Sequence, residues 1–347
     1  MSFVWSDECL RHEPLAEVWV GVRTPATEVS ERVVRIREAL LAADAREVAA
    51  TPHDDAAVLA VHDPELVEFL RTAWESWAAA GLPSDRVVPY VFAREELMGG
   101  RAAVAPAAVW ARPGRFAYDT MTLIGPGTWE AARAAVDVAL TAVDLVAGGE
   151  PAVYGCCRPP GHHVTRSLYG GSCYLNNAAV AAAELARRLD GPVAVVDIDA
   201  HHGNGTQELF RGRADVRTAS VHVDPGAGWF PHFLGFAAEN DEANLNLPLA
   251  PGAGDEPWLA VVREAAAFAA GVRGLVVALG VDAAAADPES PLRVTAEGYR
   301  EAGRILGALE LPTVLVQEGG YDLEAIGELV VATLAGFGGG RWHTIAS

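Results

Sequence analysis

Short apolar runs rich in valine alternate along the chain with longer segments in which apolar residues recur at helical spacing. The runs have the length of strands, and they are too short for most helices. The predicted strands are Val153–Cys157, Val193–Asp199, Thr218–Val223, Gly274–Gly280 and Thr313–Gln317. The clearest predicted helices are Pro64–Ala79, Gly127–Ala147, Asn176–Leu189 and Glu256–Ala270. Because such alternation is typical of parallel sheets covered on both faces, we predict an α/β fold with a mostly parallel central sheet flanked by helices.

Each of the five predicted strands is followed within a few positions by Gly, His, Asp, Glu or Tyr. Open parallel sheets bind ligands outside the carboxyl ends of their strands, so these residues indicate one shared active-site crevice. The chain has 347 residues and no low-complexity linker. Since α/β enzymes often exceed average domain size, we expect one domain over residues 1–347. Residues 99–127, rich in Pro and Gly, are expected to form a long functional loop.

Composition excludes several classes of partner. The net charge of −20 leaves no basic surface for a nucleic acid. No segment approaches the ~20 consecutive apolar residues of a membrane helix, and the N-terminal residues lack the layout of a signal peptide. The four cysteines include no CxxC pair, and a disulfide framework is not expected in a chain of this size. We therefore expect a cytoplasmic protein that binds neither nucleic acid nor membrane.

The densest group of metal-ligating residues follows the predicted strand that begins at Val193. Its sequence is Asp-Ile-Asp-Ala-His-His-Gly-Asn-Gly, from Asp197 to Gly205. Strand alternation would put Asp199 and His201 on one side, close enough to share a cation. Asp282, after another strand, is the best third ligand. Two carboxylates and one imidazole leave a coordination position open, as in catalytic zinc sites. Iron(II), manganese and cobalt also suit these ligands. The alternative, helix capping alone, does not account for so dense a run.

Two further strand ends carry candidates for acid–base and oxyanion chemistry. His162 and His163 follow a turn that begins Arg-Pro-Pro-Gly, whose restricted backbone can hold two imidazoles at fixed angles. Imidazoles suit general acid–base catalysis near neutral pH. Tyr321 follows two glycines that let the backbone approach a ligand, so its hydroxyl is a candidate oxyanion donor. Packed histidines and an ordinary tyrosine turn are the alternatives for these residues taken singly.

Together these residues resemble the histone deacetylase and acetylpolyamine amidohydrolase superfamily. The stretches that carry the resemblance are Arg158–His163, Gly171–Asn177, Asp197–Thr206, Leu279–Asp282 and Glu318–Tyr321. The stretch Phe230–Gly235 is more similar to bacterial acetylpolyamine amidohydrolases than to nuclear histone deacetylases. The resemblance implies the arginase/deacetylase fold with its active site at the carboxyl ends of the strands.

The resemblance also assigns roles to individual residues. It implies zinc at Asp199, His201 and Asp282, in agreement with the choice made from the residues. It implies that His162 and His163 are the acid–base pair, with His163 as the base. The residues implied to orient them are Asp197 for His162 and Asn204 for His163, with Tyr321 as oxyanion donor. Potassium is implied near Asp197, Asp199, His201, Ser220 and Val221, and a second potassium near Phe210, Arg213 and Val216.

The chain departs from the family pattern around the expected substrate pocket, which we place at Gly171, Ser172, Phe230, Gly319 and Trp110. The family usually has an aromatic ring at the position of Ser172, paired with a ring at Phe230, so serine is expected to leave one wall open. Polyamine-selective members carry an acidic residue in the early loop, where Trp110 stands here. Arg112 and Arg115 lie nearby in the sequence. A basic, aromatic loop argues against selectivity for polyamines.

The function predicted from these observations is zinc-dependent hydrolysis of an acetyl or related acyl amide on an amine. The substrate is expected to be a small acetylated amine or an acetyl-lysine. One alternative is a ureohydrolase-like manganese enzyme on the same fold, although the four alanines after Asp282 offer no further ligands. Another is a non-catalytic module that binds acyl ligands. A homodimer through the long early loop is a further expectation from the resemblance.

Overall fold

The computed structural model describes residues 1–102, 104 and 106–339. Two residues of the expected loop, Ala103 and Ala105, and residues 340–347 of the expected domain lie outside this description. The described residues are built around an eight-stranded sheet with an apolar core on each face. None of their helices has the length and apolar character needed to span a bilayer.

All neighbouring strands of the large sheet pair in parallel, which confirms the predicted fold class. A separate antiparallel hairpin consists of β2 and β3. The strands are β1 Ser2–Trp5, β2 Glu17–Trp19, β3 Val22–Thr24, β4 Arg46–Ala49, β5 Ala152–Gly155, β6 Val193–Asp197, β7 Val216–Val223, β8 Asn244–Leu249, β9 Gly274–Leu279 and β10 Thr313–Gln317. Their order in the large sheet is β4-β1-β5-β10-β9-β6-β7-β8.

Helices cover both faces of the sheet. They are α1 Glu31–Ala42, α2 Ala56–Val61, α3 Pro64–Ala79, α4 Glu95–Met98, α5 Pro113–Phe116, α6 Thr128–Ala147, α7 Asn177–Leu189, α8 Asn204–Phe210, α9 Asp255–Phe268, α10 Ala296–Gly307 and α11 Ile326–Phe337. Successive residues of a strand point to opposite faces. On β9, Val276 and Ala278 therefore join the core under α3, α6 and α7, whereas Leu275 and Val277 join the core under α1, α9, α10 and α11.

The strands that carry the predicted chemistry are neighbours. The five strands expected from the sequence are β5, β10, β9, β6 and β7, which lie side by side in the centre of the sheet. Their carboxyl ends therefore meet at one edge, as predicted. Three of them end earlier than expected, because β5 stops at Gly155, β6 stops at Asp197 and β9 stops at Leu279. The loop 99–127 is partly ordered into α5, so it is less irregular than the sequence indicates.

Candidate active site

Three side chains from two adjacent strand ends converge on one point. Asp199 and His201 lie in the loop after β6, and Asp282 lies just beyond β9. The Nδ1 atom of His201 is 2.9 Å from Oδ2 of Asp282 and 3.3 Å from Oδ1 of Asp199. Each residue offers a ligand atom within 4.8 Å of the other two. Both carboxylates are fully buried. This is the spacing expected of ligands around a single cation.

Hydrogen bonds within a loop, and not strand alternation, bring Asp199 and His201 together. The predicted strand would have carried both residues, but β6 has already ended at Asp197. Asp197 Oδ1 accepts a hydrogen bond from the Asp199 main-chain N–H at 3.0 Å, and Asp199 Oδ1 accepts one from that of His201 at 2.9 Å. The second oxygen of Asp199 accepts from the Gly319 N–H at 2.7 Å. Asp199 and His201 are therefore close, as the sequence predicts, but the cause is the hydrogen bonding of a loop and not the alternation of a strand.

The electrostatics of the three residues favour a bound cation. Burial, together with the charge of Asp199, raises the pKa of Asp282 to about 7. Burial disfavours a charged His201, but hydrogen bonds to Asp199 and Asp282 outweigh it and raise the imidazole pKa. Two buried carboxylates this close are costly unless a positive charge offsets them. Across the described residues this is the only group of three His, Cys, Asp or Glu side chains with metal-ligand spacing.

Two imidazoles lie beside this group, with ring centroids 4.0 Å apart. Each is held by one partner through Nδ1. The Nδ1 atom of His162 is 2.9 Å from Oδ2 of Asp197, and that of His163 is 2.7 Å from Oδ1 of Asn204. The structure therefore places both histidines and both predicted orienting residues together. Such hydrogen bonds fix the tautomer and the angle of an imidazole, and they leave Nε2 for other contacts.

The two imidazoles favour different protonation states. Burial disfavours charge on His162, but the carboxylates of Asp199 and Asp197 outweigh it and raise the pKa of His162 to about 10. The pKa of His163 is lowered well below its ordinary value by burial and by the positive charges of His162 and His201. The two imidazole pKa values therefore shift in opposite directions, which suits a pair that divides the acid and base roles.

Tyr321 lies on a turn that a buried arginine holds. Arg32, on α1, donates from Nε to the carbonyl of Gly320 at 2.5 Å and from Nη2 to that of Glu318 at 2.6 Å. Its guanidinium carbon lies 4.6 Å from the centroid of the Tyr321 ring. Glu28 accepts from Arg32 at 2.7 Å, so the buried charge is paired. The sequence did not indicate this arginine, and its only local trace is the i,i+4 spacing from Glu28.

Glu318 links the tyrosine turn to the histidine turn. Its Oε2 atom accepts from the main-chain N–H groups of Gly161 at 2.7 Å and His162 at 3.1 Å. The side chain is fully buried, and burial raises its pKa to about 7. The two strand ends that carry His162 and Tyr321 are therefore joined by one carboxylate, whose role was not recognised from the sequence.

Residues 26–337 match the histone deacetylase domain family. The chain belongs to this family. Two similar proteins are acetylpolyamine amidohydrolase 2 of Pseudomonas aeruginosa, 37% identical over 98% of this chain and 99% of that one, and acetylpolyamine amidohydrolase of Mycoplana ramosa, 36% identical over 98% and 100%. A crystal structure of acetylpolyamine aminohydrolase from Burkholderia pseudomallei superimposes with a TM-score of 0.90, at 36% identity, over 98% of this chain and 99% of that chain. The resemblance read from the sequence motifs is confirmed.

Aromatic residues of this histone deacetylase domain flank the pair of imidazoles. Phe230 stands edge-on to His163, with ring centroids 4.9 Å apart. A Cβ atom on Gly171 would lie 2.3 Å from Cδ2 of His163, and φ is +59° there, so the position requires glycine. Tyr118 stacks beside Phe230 at 6.2 Å and donates its hydroxyl to the His163 carbonyl at 3.2 Å. Tyr118 is therefore a second ring beside Phe230, and Ser172 contributes none.

Glu17 shares its surroundings with two other carboxylates of the domain, those of Asp119 and Glu289. Asp119 Oδ2 accepts from the Gly171 N–H at 2.6 Å, and the Glu289 carbonyl accepts from the indole N–H of Trp229 at 2.9 Å. Burial raises the pKa of Glu17, on β2, to about 7, and the charges of Glu289 and Asp119 add to the shift. Asp119 and Glu289 therefore both lie within electrostatic range of Glu17, and Asp119 contacts Gly171, a residue of the expected pocket. No local pattern in the sequence brought these three residues together.

The arginines that argued against a cationic substrate are engaged elsewhere. Arg115 forms an ion pair with Glu65 of α3. Arg112 donates from Nε to the carbonyl of Pro106 at 3.1 Å. Trp110 lies in a short helical turn and is 48% exposed. The charge of Arg115 is therefore paired with that of Glu65, whereas the hydrogen bond from Arg112 to a carbonyl leaves its positive charge in place.

The residues expected to bind potassium lie in two places. Ser220 is the cross-strand partner of Asp197, and Val221 follows it on β7. The main-chain N–H of Arg213 donates to the carbonyl of Phe210 at 2.9 Å, where α8 turns towards β7. Val216 is the first residue of β7. Potassium binding at either place stays a prediction.

Proposed function

We propose that this chain is a zinc-dependent amidohydrolase that removes an acetyl or related short acyl group from an amine, with acetylated polyamines as its preferred substrates. The observation that carries the proposal is the convergence of Asp199, His201 and Asp282 beside two imidazoles of opposite charge preference. The names of the similar proteins, acetylpolyamine amidohydrolases, support the same reaction class.

Zinc fits the three candidate ligands. Two carboxylates and one imidazole are a common donor set for catalytic zinc, and such sites keep a further position open. The buried, mutually repelling carboxylates of Asp199 and Asp282 also favour a divalent cation. When bound, zinc would supply a Lewis acid for the amide carbonyl and would lower the pKa of water.

The surrounding residues divide the remaining tasks. His163, whose pKa is depressed, is neutral and accepts a proton from the attacking water. Tyr321 donates its hydroxyl hydrogen bond to the carbonyl oxygen as negative charge develops there. The imidazole pair then returns a proton to the departing nitrogen. Asp197 and Asn204 keep the two rings oriented during these transfers.

The carboxylates around Glu17 favour a substrate with a second, remote cation. Glu17 lies within electrostatic range of Asp119 and Glu289, and Asp119 accepts a hydrogen bond from Gly171 of the expected pocket. A polyamine carries ammonium groups beyond its acetylated nitrogen, and clustered carboxylates attract such groups. A neutral acetamide has no positive charge for these carboxylates to attract, so they should not strengthen its binding. The comparison of charged with neutral amides is therefore the test of this substrate class.

The two rival functions predict different measurements. A ureohydrolase-like enzyme needs a second metal, yet the described residues hold only one group of three ligands. Metal analysis should therefore give one zinc ion per chain, and two manganese ions would support the rival. A non-catalytic module would bind acylated amines without releasing acetate.

The direct experiment is acetate release by the zinc-loaded chain from an N-acetylated polyamine and from an acetyl-lysine peptide. Asp199→Asn should lose both zinc and turnover. Tyr321→Phe should keep zinc and lower kcat by ~10²–10³-fold. Asp241→Asn makes the same chemical change as Asp199→Asn in an exposed loop, and it should leave both unchanged. Full activity in Asp199→Asn, or no turnover of any acetylated amine by the unmodified chain, would contradict the proposal.

A further inference from the structure

Asp287 is a buried carboxylate that none of the steps above uses. It lies in the loop that follows Asp282, with 7% of its surface exposed. Its Oδ2 atom accepts from the main-chain N–H groups of Tyr321 at 2.6 Å and Asp322 at 3.2 Å. Its Oδ1 atom accepts from the N–H of Glu289 at 3.0 Å. Both carboxylate oxygens are therefore engaged by the main chain.

We infer that Asp287 is a positioning residue, which fixes the main chain of Tyr321 so that the phenol points at the developing oxyanion. The inference rests on the proposed function, because it assigns Asp287 a role in the reaction of that site. The amide nitrogen that Asp287 holds is bonded directly to the Cα atom that carries the phenol. A hydrogen bond at this nitrogen therefore restrains the origin of the side chain.

The turn needs such restraint because its own sequence is permissive. Gly319 and Gly320 precede the tyrosine, and Gly320 has φ +125°, a conformation that side chains disfavour. Glycines increase the number of conformations that the turn can adopt. Arg32 holds the carbonyl oxygens before Tyr321, and Asp287 holds the N–H groups at and after it. The two contacts approach the turn from different elements and together define its path.

The burial of Asp287 is consistent with this role. Burial raises the pKa of its carboxyl to about 6, and the hydrogen bonds from Tyr321, Glu289 and Asp322 oppose that shift. A buried carboxylate is tolerated only when its oxygens are satisfied, and here N–H groups satisfy both. Asp287 is also not one of the three residues with metal-ligand spacing. Its contacts therefore point to the tyrosine turn and not to a second metal.

The test compares Asp287→Ala with Asp287→Asn in the zinc-loaded chain. Loss of alignment at a catalytic donor should lower kcat by ~10–100-fold in Asp287→Ala, with KM changed less than ~3-fold. Asparagine keeps an oxygen acceptor for the two N–H groups, so Asp287→Asn should retain kcat within about fivefold. Asp241→Ala is the matched control. That aspartate also accepts two main-chain N–H groups, from Ala243 and Asn244 at 2.8 Å each, but in an exposed loop.

A double-mutant cycle separates positioning from general stability. If Asp287 acts through the phenol, Asp287→Ala should cost less than about twofold in kcat when Tyr321 is already phenylalanine. An equal loss in both backgrounds would overturn the inference. Zinc content and Tm, measured for every variant, identify any protein that has lost its metal or its fold.

Hydrogen exchange provides a readout that does not depend on turnover. The main-chain amides of Tyr321 and Asp322 should exchange at least ~10-fold faster in full-length Asp287→Ala than in the unmodified protein. Asp287→Asn should restore most of the protection. Unchanged exchange in Asp287→Ala overturns the inference even if the proposed function holds. If exchange is faster in Asp287→Ala but the unmodified chain releases no acetate, the contact between Asp287 and the turn is supported and the proposed function is refuted.

Discussion

The three carboxylates Glu17, Asp119 and Glu289 lead to a prediction about pH and substrate charge. The pKa of Glu17 is raised to about 7 by burial, with further contributions from Glu289 and Asp119. A carboxyl whose pKa is raised is neutral below that value and anionic above it. Glu17 is therefore about one-eleventh ionised at pH 6 and about ten-elevenths ionised at pH 8. If binding of a remote ammonium requires the anion, KM should fall about tenfold between these pH values.

The assay must remove the titration of the catalytic groups, which affects every substrate. We therefore expect the effect in a ratio, namely kcat/KM for a monoacetylated diamine divided by kcat/KM for an uncharged acetamide of the same length. The ratio should rise about tenfold from pH 6 to pH 8 in the unmodified chain. In Glu17→Gln it should be low and independent of pH. Glu301→Gln, which removes one charge from an exposed ion pair on α10, is the control and should behave like the unmodified chain.

Two results would refute this reasoning. A ratio that is constant from pH 6 to pH 8 in the unmodified chain would show that Glu17 does not titrate in contact with the substrate. A rising ratio that persists in Glu17→Gln would assign the effect to another group. Added salt should reduce the ratio at pH 8, because the attraction is between charges near the surface.

Three further predictions concern the metal and the fold. Chelation should abolish turnover, and added zinc should restore it. In Gly319→Ala, a Cβ atom would lie 2.5 Å from Oδ2 of Asp199 and 2.7 Å from Oδ2 of Asp282, the two candidate carboxylate ligands, so zinc should be lost. In the control Gly254→Ala the new atom is 3.5 Å from its neighbour, so zinc should be retained. His62 accepts from the Asn176 N–H through Nε2 and contacts the Thr165 carbonyl through Nδ1, which requires a neutral ring. Burial lowers the pKa of His62 to about 4. Below pH 6.5 His62 is therefore protonated in the unfolded chain but stays neutral in the folded protein. The free energy of unfolding should thus fall by ~2 kcal/mol from pH 7.5 to pH 5. Urea titrations should show a smaller fall in His62→Gln.

The order of chemistry along the sheet could be predicted because it follows from short-range patterns. Apolar runs such as Val193–Asp197 are buried on both faces, and the polar residues after them mark the carboxyl ends of strands. The five strand ends chosen in this way proved to be neighbours. Alternation failed only beyond Asp197, where side chains accept hydrogen bonds from the loop main chain and replace the strand ladder.

The residues that support the site could not be predicted, because their partners are distant in the sequence. Arg32 donates to a carbonyl 288 positions away, and Glu318 accepts from an amide 157 positions away. In the residues that surround them in the sequence, Arg32 and Glu318 resemble ordinary charged residues exposed on a helix or in a turn. Glu17 was missed for the same reason, since only the fold brings it within range of Asp119 and Glu289.

The site can lose activity in two ways, by loss of the metal or by loss of the alignment of Tyr321. The metal group depends on space around Asp199 and Asp282, and Gly319 provides that space. The phenol depends on alignment of a glycine-containing turn by contacts from elsewhere, among them that of Asp287. Gly319→Ala should therefore lose zinc and turnover together, whereas Asp287→Ala should keep zinc and lose rate alone. Because Asp287→Ala retains every predicted ligand and catalytic residue, a family motif can be complete in a chain whose rate is lowered by a change outside it.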